Sequence, residues 1–277
     1  MDAVDATVFG GHGFIGRHVV AALSSEGLNV WVPERSDLAD DLSAGIRERR
    51  LGHVVYAIGL TGDFRTRPAD TVEAHAGLLA KLLNATRWDS FLVMSSARIY
   101  SGATSTDEGA TLAMRPNGDR LYDLSKMLGE ALVLAHPSPA ARAVRLSNIF
   151  GPGMSETTFL GEVLAQARAT GKVTIGEAPT SAKDYLPVVA AAADCAAIAL
   201  RGTQRLYNVA SGTAVSHQTI ATLLEDTLGT KVTFAPGGEE RRFEPVDIGR
   251  LSAEFPRPPR DIEAALKSFF ANAGAPP

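Results

Sequence analysis

Cysteine occurs once in the 277 residues, at position 195. A single thiol excludes an intrachain disulfide and fits a reducing compartment, so a cytoplasmic protein is expected. Cys195 lies in the alanine-rich run Val188–Leu200 and reads as a small core side chain. A strong excess of one charge is also missing. Lys and Arg number 27 against 31 Asp and Glu, a net charge of −4. No basic stripe is present, and the cluster Arg47-Glu-Arg-Arg50 contains a glutamate, so nucleic acid is not an expected partner. No apolar run is long enough to span a bilayer, and the longest carries Asp194, so no membrane partner is expected. No leader pattern precedes the first apolar segment. Repeats and low-complexity tracts are absent from the sequence. What is abundant is apolar material, 45% of the chain, enough for a sizeable core. The length suits one α/β domain with an appended lobe, or two small domains.

The most informative segment is Ala6-Thr-Val-Phe-Gly10-Gly-His-Gly13-Phe-Ile-Gly16. An apolar run ends in a glycine turn and opens an amphipathic helix carrying Ile15, Val19, Val20 and Leu23. The first N–H groups of such a helix are unpaired, and its dipole is positive there, so the turn is an anion site suited to a pyrophosphate. Gly10 supplies the turn, Gly13 has no Cβ to obstruct the anion, and Gly16 lets helix and strand approach. The spacing is G-x-x-G-x-x-G rather than the commoner G-x-G-x-x-G. The second strand, Asn29-Val-Trp-Val-Pro, ends in Glu34-Arg35-Ser36. A carboxylate at Glu34 would accept ribose hydroxyls and repel a 2′-phosphate, favouring NAD. The guanidinium of Arg35 could instead grip a 2′-phosphate, which keeps NADP open.

Short apolar runs at about 5–10, 29–33, 53–58, 90–95 and 142–147 alternate with helical patterns at about 14–26, 38–50, 70–86 and 120–135. That alternation predicts a Rossmann-type doubly wound parallel α/β sheet covered on both faces. After Gly151-Pro-Gly153 the pattern shifts to helices near 157–170, 216–228 and 260–271 and short strands at Val173–Ile175, Leu206–Val209 and Val232–Phe234. The expected division is a dinucleotide-binding domain over 1–151 and a small α/β substrate lobe over 152–277, with the chain free to cross back to the sheet. The lobe should cover the carboxyl ends of the strands, where ligands bind in such sheets. About 19 residues separate the second and third strands, room for one helix but not for helix–strand–helix.

Tyr122 and Lys126 stand four apart and share a helix face. A phenol near pKa 10 is a poor base at neutral pH, and a neighbouring ammonium lowers that value. The pair can exchange a proton with an alcohol or carbonyl oxygen while hydride moves at carbon, and the lysine can hold the nicotinamide ribose. The same spacing is common on ordinary surface helices. The fourth strand runs into Ser95-Ser96-Ala97-Arg98-Ile99-Tyr100, placing hydroxyls where a parallel strand leaves the sheet.

Together these residues resemble an extended short-chain dehydrogenase/reductase of the NAD-dependent epimerase/dehydratase family, nearly end to end. The likeness rests on Gly10 to Gly16, on Ser95 to Tyr100, on Tyr122-Asp-Leu-Ser-Lys126-Met-Leu-Gly-Glu130 and on Arg145-Leu-Ser-Asn148-Ile-Phe-Gly-Pro-Gly153. Lys183-Asp-Tyr-Leu-Pro-Val188 and Tyr207-Asn-Val-Ala-Ser-Gly212 resemble later lobe motifs. The resemblance implies a Rossmann fold, bound NAD(P) and usually a nucleotide-sugar substrate. It implies pyrophosphate contacts from the Phe14 and Ile15 backbone, an adenine contact from Asp37 and Leu38, Ser96 as the catalytic hydroxyl and Asn148 facing substrate. It also implies a homodimer through the helices near 70–86 and 120–135, whose leucines (78, 79, 82, 83; 124, 128, 132) could equally face the chain's own sheet.

Departures from the family pattern narrow the chemistry. Dehydratases and decarboxylases of the family tend to carry an acid just after the catalytic hydroxyl; here Ala97 and Arg98 follow Ser96. Ala97 resembles the 4-epimerases. His75 stands where an asparagine is usual, either as a structural residue or in contact with the chemistry. The expected activity is an NAD(P)-dependent epimerase or ketoreductase acting at a secondary carbon. The alternatives are a reductase of a smaller natural-product carbonyl compound and a dinucleotide-sensing regulator without turnover.

Overall fold

The computed structural model describes residues 4–39, 42–60, 62, 64–113, 118–241 and 243–274. Strand β1 (Ala6–Phe9) is buried throughout and turns into helix α1 (Phe14–Ser25). The next strand, β2 (Val30–Trp31), has only two residues. Where one helix over 38–50 was expected, a 3-10 turn (Arg35–Leu38) precedes a five-residue α2 (Ala44–Glu48). The reason is local. Asp37 uses its carboxylate to accept the Glu34 amide and its carbonyl to accept the Ser43 amide, bonds that compete with a continuous helix. Strand β3 (His53–Tyr56) follows. The expected helix over 70–86 is α3 (Pro68–Val72) and α4 (Leu78–Ala85) joined by a π turn, Glu73–Gly77.

Strand β4 (Ser90–Ser96) leads through a 3-10 turn (Ala97–Tyr100) toward α5 (Arg120–Ala135), and β5 (Ala141–Leu146) follows. Then come β6 (Asn148–Phe150), α6 (Phe159–Thr170), β7 (Lys172–Ile175), β8 (Ala182–Pro187) and α7 (Val188–Arg201). The chain ends with β9 (Leu206–Val209), β10 (Ala214–Ser216), α8 (His217–Leu228), β11 (Lys231–Phe234), α9 (Gly249–Glu254) and α10 (Ile262–Gly274).

The main sheet is parallel in the order β2-β1-β3-β4-β5-β9. Side chains alternate across it. Val8, Val55, Leu92 and Val144 face α1 and α7, with Cys195 and Ile198 in the same cluster. Phe9, Val54, Tyr56, Phe91 and Val93 face the opposite way and meet Leu79, Leu82 and Val133 of α4 and α5. This is a Rossmann-type doubly wound fold. Cys195 is fully buried, and burial beside the Asp194 carboxylate raises its thiol pKa, so it is an inert core residue.

The chain crosses back into the sheet. Helix α7 packs on α1, and β9 pairs with β5, so residues 188–209 lie with the main sheet rather than in one uninterrupted lobe starting at 152. The lobe consists of β6-β8-β10, the parallel pair β7 and β11, and α6, α8 and α10. Its core holds Phe150, Leu160, Tyr185, Ile220, Leu266 and Phe270. The order β2-β1-β3 puts the point where the strand order reverses at the carboxyl ends of β1 and β3, beside the glycine turn.

Candidate active site

Each glycine of the turn has a steric reason. Gly10 has φ +80°, and a Cβ there would lie 3.0 Å from the Ala57 carbonyl just past β3. A Cβ on Gly16 would strike the Gly10 carbonyl and push α1 off the turn. Gly13 is the N-cap of α1, and neither a side-chain cap nor an acid occupies the helix's first turn. The amides of Phe14 and Ile15 therefore lie at a helix terminus with no built-in anion. A dinucleotide pyrophosphate fits this cradle in shape and charge. Arg17, in the same turn of α1, donates to the Pro152 carbonyl at 2.6 Å and ties the cradle to the segment entering the lobe.

Glu34 follows β2, and its carboxylate meets His12 Nε2 of the glycine turn at 3.2 Å. Both side chains are about two-thirds exposed, at 68% and 69%, so the pair adds little stability and stays open to a ligand. Arg35 is exposed at the start of the 3-10 turn. Leu38 packs with Trp31 and Ile58 on the core, while Asp37 caps its own turn. His12 was passed over in the sequence; its position inside the glycine turn was the available signal.

At the end of β4, alternation separates the two serines. Ser95 is buried, and Ser96 is half-buried with Oγ accepting the Arg98 amide at 3.2 Å. Tyr122 and Lys126 face this point from α5. Lys126 Nζ donates to the Met94 carbonyl at 2.9 Å and lies 6.0 Å from the Tyr122 ring centroid. Burial pushes the Lys126 ammonium down to about 8. Phe64 packs on the Tyr122 ring at 5.1 Å between centroids.

Arg98, two residues after Ser96, reaches the Tyr122 ring. Its guanidinium lies 5.3 Å from the Tyr122 ring centroid and 5.6 Å from that of Phe64. Nε approaches Asp123 Oδ1 at 3.4 Å, and the head group pairs with Asp119, which Arg65 also reaches. Burial raises the Asp123 carboxyl, an effect that Arg98 opposes. The sequence marks Ala97 as the position of a missing acid; the fold makes its neighbour Arg98 a cation against the phenol's ring.

His75 lies in the π turn, 3% exposed, with its ring edge-on to Tyr122 at 5.5 Å. Burial first, and the Lys126 charge second, push it down to about 3, so the ring is neutral. Asn148 is exposed at the start of β6, its amide donating to the Asp184 carbonyl at 2.8 Å. In the lobe, Glu177 Oε2 lies 3.3 Å from Lys183 Nζ and 3.4 Å from His217 Nε2. The Phe159 ring stacks on His217 at 4.1 Å and lies 4.7 Å from Lys183 Nζ. Burial lowers the Lys183 ammonium, an effect that Glu177 opposes. Among the described residues no group of three or more His, Cys, Asp or Glu could hold a metal ion, and no helix is long and apolar enough to cross a membrane.

Residues 6–210 match the model of the NAD dependent epimerase/dehydratase family. The chain belongs to that family. The matched stretch contains the glycine turn, Ser96, Tyr122 and Lys126, and the family makes the protein an NAD(P)-dependent enzyme of the extended short-chain dehydrogenase type. Comparison with curated protein sequences returns no match. Solved structures share the fold across whole chains. RMD from Pseudomonas aeruginosa, complexed with NADPH, aligns with a TM-score of 0.80 at 21% identity over 97% of this chain and 99% of that one. TunA, an NAD dependent NDP-hexosamine 5,6-dehydratase of tunicamycin biosynthesis, aligns at 0.77 and 20% over 96% of each chain. A UDP-N-acetylglucosamine 4-epimerase from Methanobrevibacter ruminantium M1, in complex with UDP-N-acetylmuramic acid, aligns at 0.76 and 19% over 98% of each.

Proposed function

We propose that this member of the family interconverts an alcohol and a ketone at a secondary carbon of a nucleotide sugar, as an epimerase or ketoreductase, with NAD as the preferred cofactor. The observation that carries the reading is the convergence of Ser96, Tyr122 and Lys126 beside Ala97 and Arg98. Bound NAD(P) supplies the hydride acceptor or donor. The Tyr122 phenol moves the proton at the substrate oxygen, and Ser96 Oγ hydrogen-bonds that same oxygen. The Lys126 ammonium stabilises the phenolate and holds the ribose. Phe64 shields the phenol from water on one side. Neither Ala97 nor the Arg98 guanidinium can act as the carboxyl acid/base of an elimination, so water and CO2 are retained.

The nucleotide-sugar class is supported by relatives such as MoeE5, seen with UDP-glucose and with UDP-glucuronic acid, and by the 4-epimerase complex. One observation favours a smaller carbonyl substrate instead: Lys183, a half-buried cation of the lobe, is already paired with Glu177 at 3.3 Å. A regulator without turnover would have no need of the assembled Ser-Tyr-Lys group. The cytoplasm is the proposed location, on the strength of the single unpaired cysteine.

A homodimer completes the reading. Leu79, Leu82 and Leu83 belong to the chain's own core. Leu124 and Leu128 on α5 are 44% and 49% exposed, and Val72 on the adjoining α3 is 40% exposed. These three form the face offered to a second copy. Light scattering should return twice the 29.2 kDa of the chain, and a monomer at micromolar concentration would overturn the dimer. The reaction class is tested by the absorbance and mass of the nucleotide that co-purifies. Tightly held NAD that survives turnover supports an epimerase, and NAD(P)H exchanged every cycle supports a ketoreductase. A protein that binds neither overturns both.

A further inference from the structure

His75 touches three separate parts of the cleft. A Cβ added to Gly59, just after β3, would lie 3.1 Å from His75 Nε2 and 3.3 Å from Lys126 Nζ, so ring and ammonium flank the same α-carbon. The Leu60 amide donates to Nε2 at 3.3 Å. A neutral imidazole carries one proton, and an Nε2 that accepts leaves that proton on Nδ1. Nδ1 lies 2.8 Å from Ser125 Oγ, which lies 2.9 Å from the Tyr122 carbonyl. The direction of every bond is thereby determined. Leu60 N–H donates to His75, His75 Nδ1–H donates to Ser125, and Ser125 O–H donates to Tyr122.

Two features of the backbone serve this contact. His75 lies within the π turn Glu73–Gly77, an irregularity frequent at functional sites. Gly129 of α5 leaves room for the His75 carbonyl, which a Cβ there would strike. The π turn and α5 thus approach closely at the residue whose ring also meets the phenol edge-on.

We propose that His75 is a positioning residue: its neutral ring locks the Tyr122 turn of α5 to the Gly59–Leu60 segment and so holds the phenol in register with Lys126. The inference rests on Tyr122 as the acid/base. It goes further in assigning the alignment of that phenol to a buried imidazole acting through Ser125. The ring must stay uncharged for this. A second proton, on Nε2, would oppose the Leu60 amide and repel Lys126, and burial prevents it. The other charges against the phenol are Lys126 on α5 and Arg98 on the 3-10 turn after β4, with Asp119 and Asp123 pairing Arg98.

The test needs no substrate. The ultraviolet phenolate band is titrated in the full chain, and the same titration of Tyr122→Phe is subtracted to isolate Tyr122. In His75→Leu, which keeps bulk but loses both hydrogen bonds, Tyr122 should ionise at higher pH, its ionisation constant falling about tenfold as the coupling to Lys126 loosens. NAD affinity should stay within about twofold. His75→Gln can accept from Leu60 and donate to Ser125, and should restore most of the wild-type titration. Ser125→Ala removes the hydroxyl that joins His75 to the Tyr122 carbonyl but keeps the Leu60–His75 bond, and should shift the curve in the same direction by less, which keeps the test available if His75→Leu does not fold. An unchanged Tyr122 titration in folded His75→Leu or in Ser125→Ala overturns the proposal, as does a glutamine variant no better than leucine. Retained turnover in Tyr122→Phe would defeat the acid/base assignment instead, and the titration separates the two failures.

Discussion

The two edges of the six-stranded sheet are built in opposite ways. At the β2 edge the strand has two residues, the crossover is a 3-10 turn and a five-residue helix, and the polar side chains Glu34 and His12 at the glycine turn are about two-thirds exposed. At the β9 edge polar groups are buried and pair with one another. Arg145 Nε donates to Glu130 Oε2 at 3.0 Å and its head group to the Tyr100 hydroxyl at 2.7 Å. Tyr100 donates to Asn208 Oδ1 at 2.8 Å, and the Asn208 amide donates to Glu108 at 2.8 Å. This network clamps α5, which carries Tyr122 and Lys126, to β5 and β9. The side that carries Tyr122 and Lys126 is set by the chain's own polar network, and the side proposed to receive the cofactor's adenosine half is left for a ligand to complete. A ligand that binds only the folded state stabilises it by an amount that grows with the logarithm of its concentration over its dissociation constant, so such an edge can be thin.

Four changes would break or sharpen that contrast. The largest effect is expected from Tyr122→Phe, which should lower turnover by roughly 10²–10⁴ on a confirmed substrate while leaving folding and NAD binding nearly intact. Near-wild-type turnover would return the pair to an ordinary helix face. Next comes Arg145→Met, which strands the buried Glu130 carboxylate. Removing one partner of a buried pair costs about 3–5 kcal/mol, and urea denaturation should show it. If this variant were as stable as a β2-edge variant, the contrast between the edges would fail.

Lys126 gives an intermediate effect through pH. Its ammonium, pushed down to about 8, is present below that pH and lost above it. NAD affinity should therefore weaken as pH rises through about 8, by about 10- to 100-fold for a lost charged hydrogen bond, and Lys126→Met should bind weakly without that dependence. The stability of the unliganded chain moves the other way. Between about 8 and the ordinary 10.5 the unfolded lysine holds more protons than the folded one, so this residue's contribution to stability rises with pH in that window. A calorimetric titration of NAD and thermal melts of the unliganded protein across the same pH range check both signs. The smallest effect is expected at the thin edge. Glu34→Ala should shift preference toward NADP by about tenfold in the ratio of dissociation constants, with unliganded stability changed by no more than about 0.5 kcal/mol. Unchanged preference would pass the selective role to Arg35 or His12.

Much of the chemistry was legible along the chain because it depends on local pattern. A strand, three glycines and a helix need only nearest neighbours, and a Tyr and Lys four apart share a helix face wherever that helix lies. The short second crossover was also visible as a residue count. Other parts were not legible because they depend on distant partners. The π turn divides an apolar pattern that reads as one helix, since His75 is drawn toward Leu60 and Ser125. Helix α7 read only as an apolar run, and β9 read as lobe material until its pairing with β5 placed it in the main sheet. Three of the seven leucines offered as a dimer face, Leu79, Leu82 and Leu83, are core.

By itself the sequence determined the parallel α/β class and pointed to the glycine turn and to Tyr122 and Lys126 as the proposed cofactor and proton-transfer groups, because each follows from periodicity, from the absence of a Cβ or from side-chain chemistry at short spacing. Only the tertiary structure decided which neighbours those groups have. Arg98 lies against the Tyr122 ring, and the buried His75 meets that ring edge-on while bonding Leu60 and Ser125. Lys126 is buried deeply enough to lose its charge near pH 8. The physical reason is that burial and distance set the strength of every charge in the cleft, and both are properties of elements far apart in the chain.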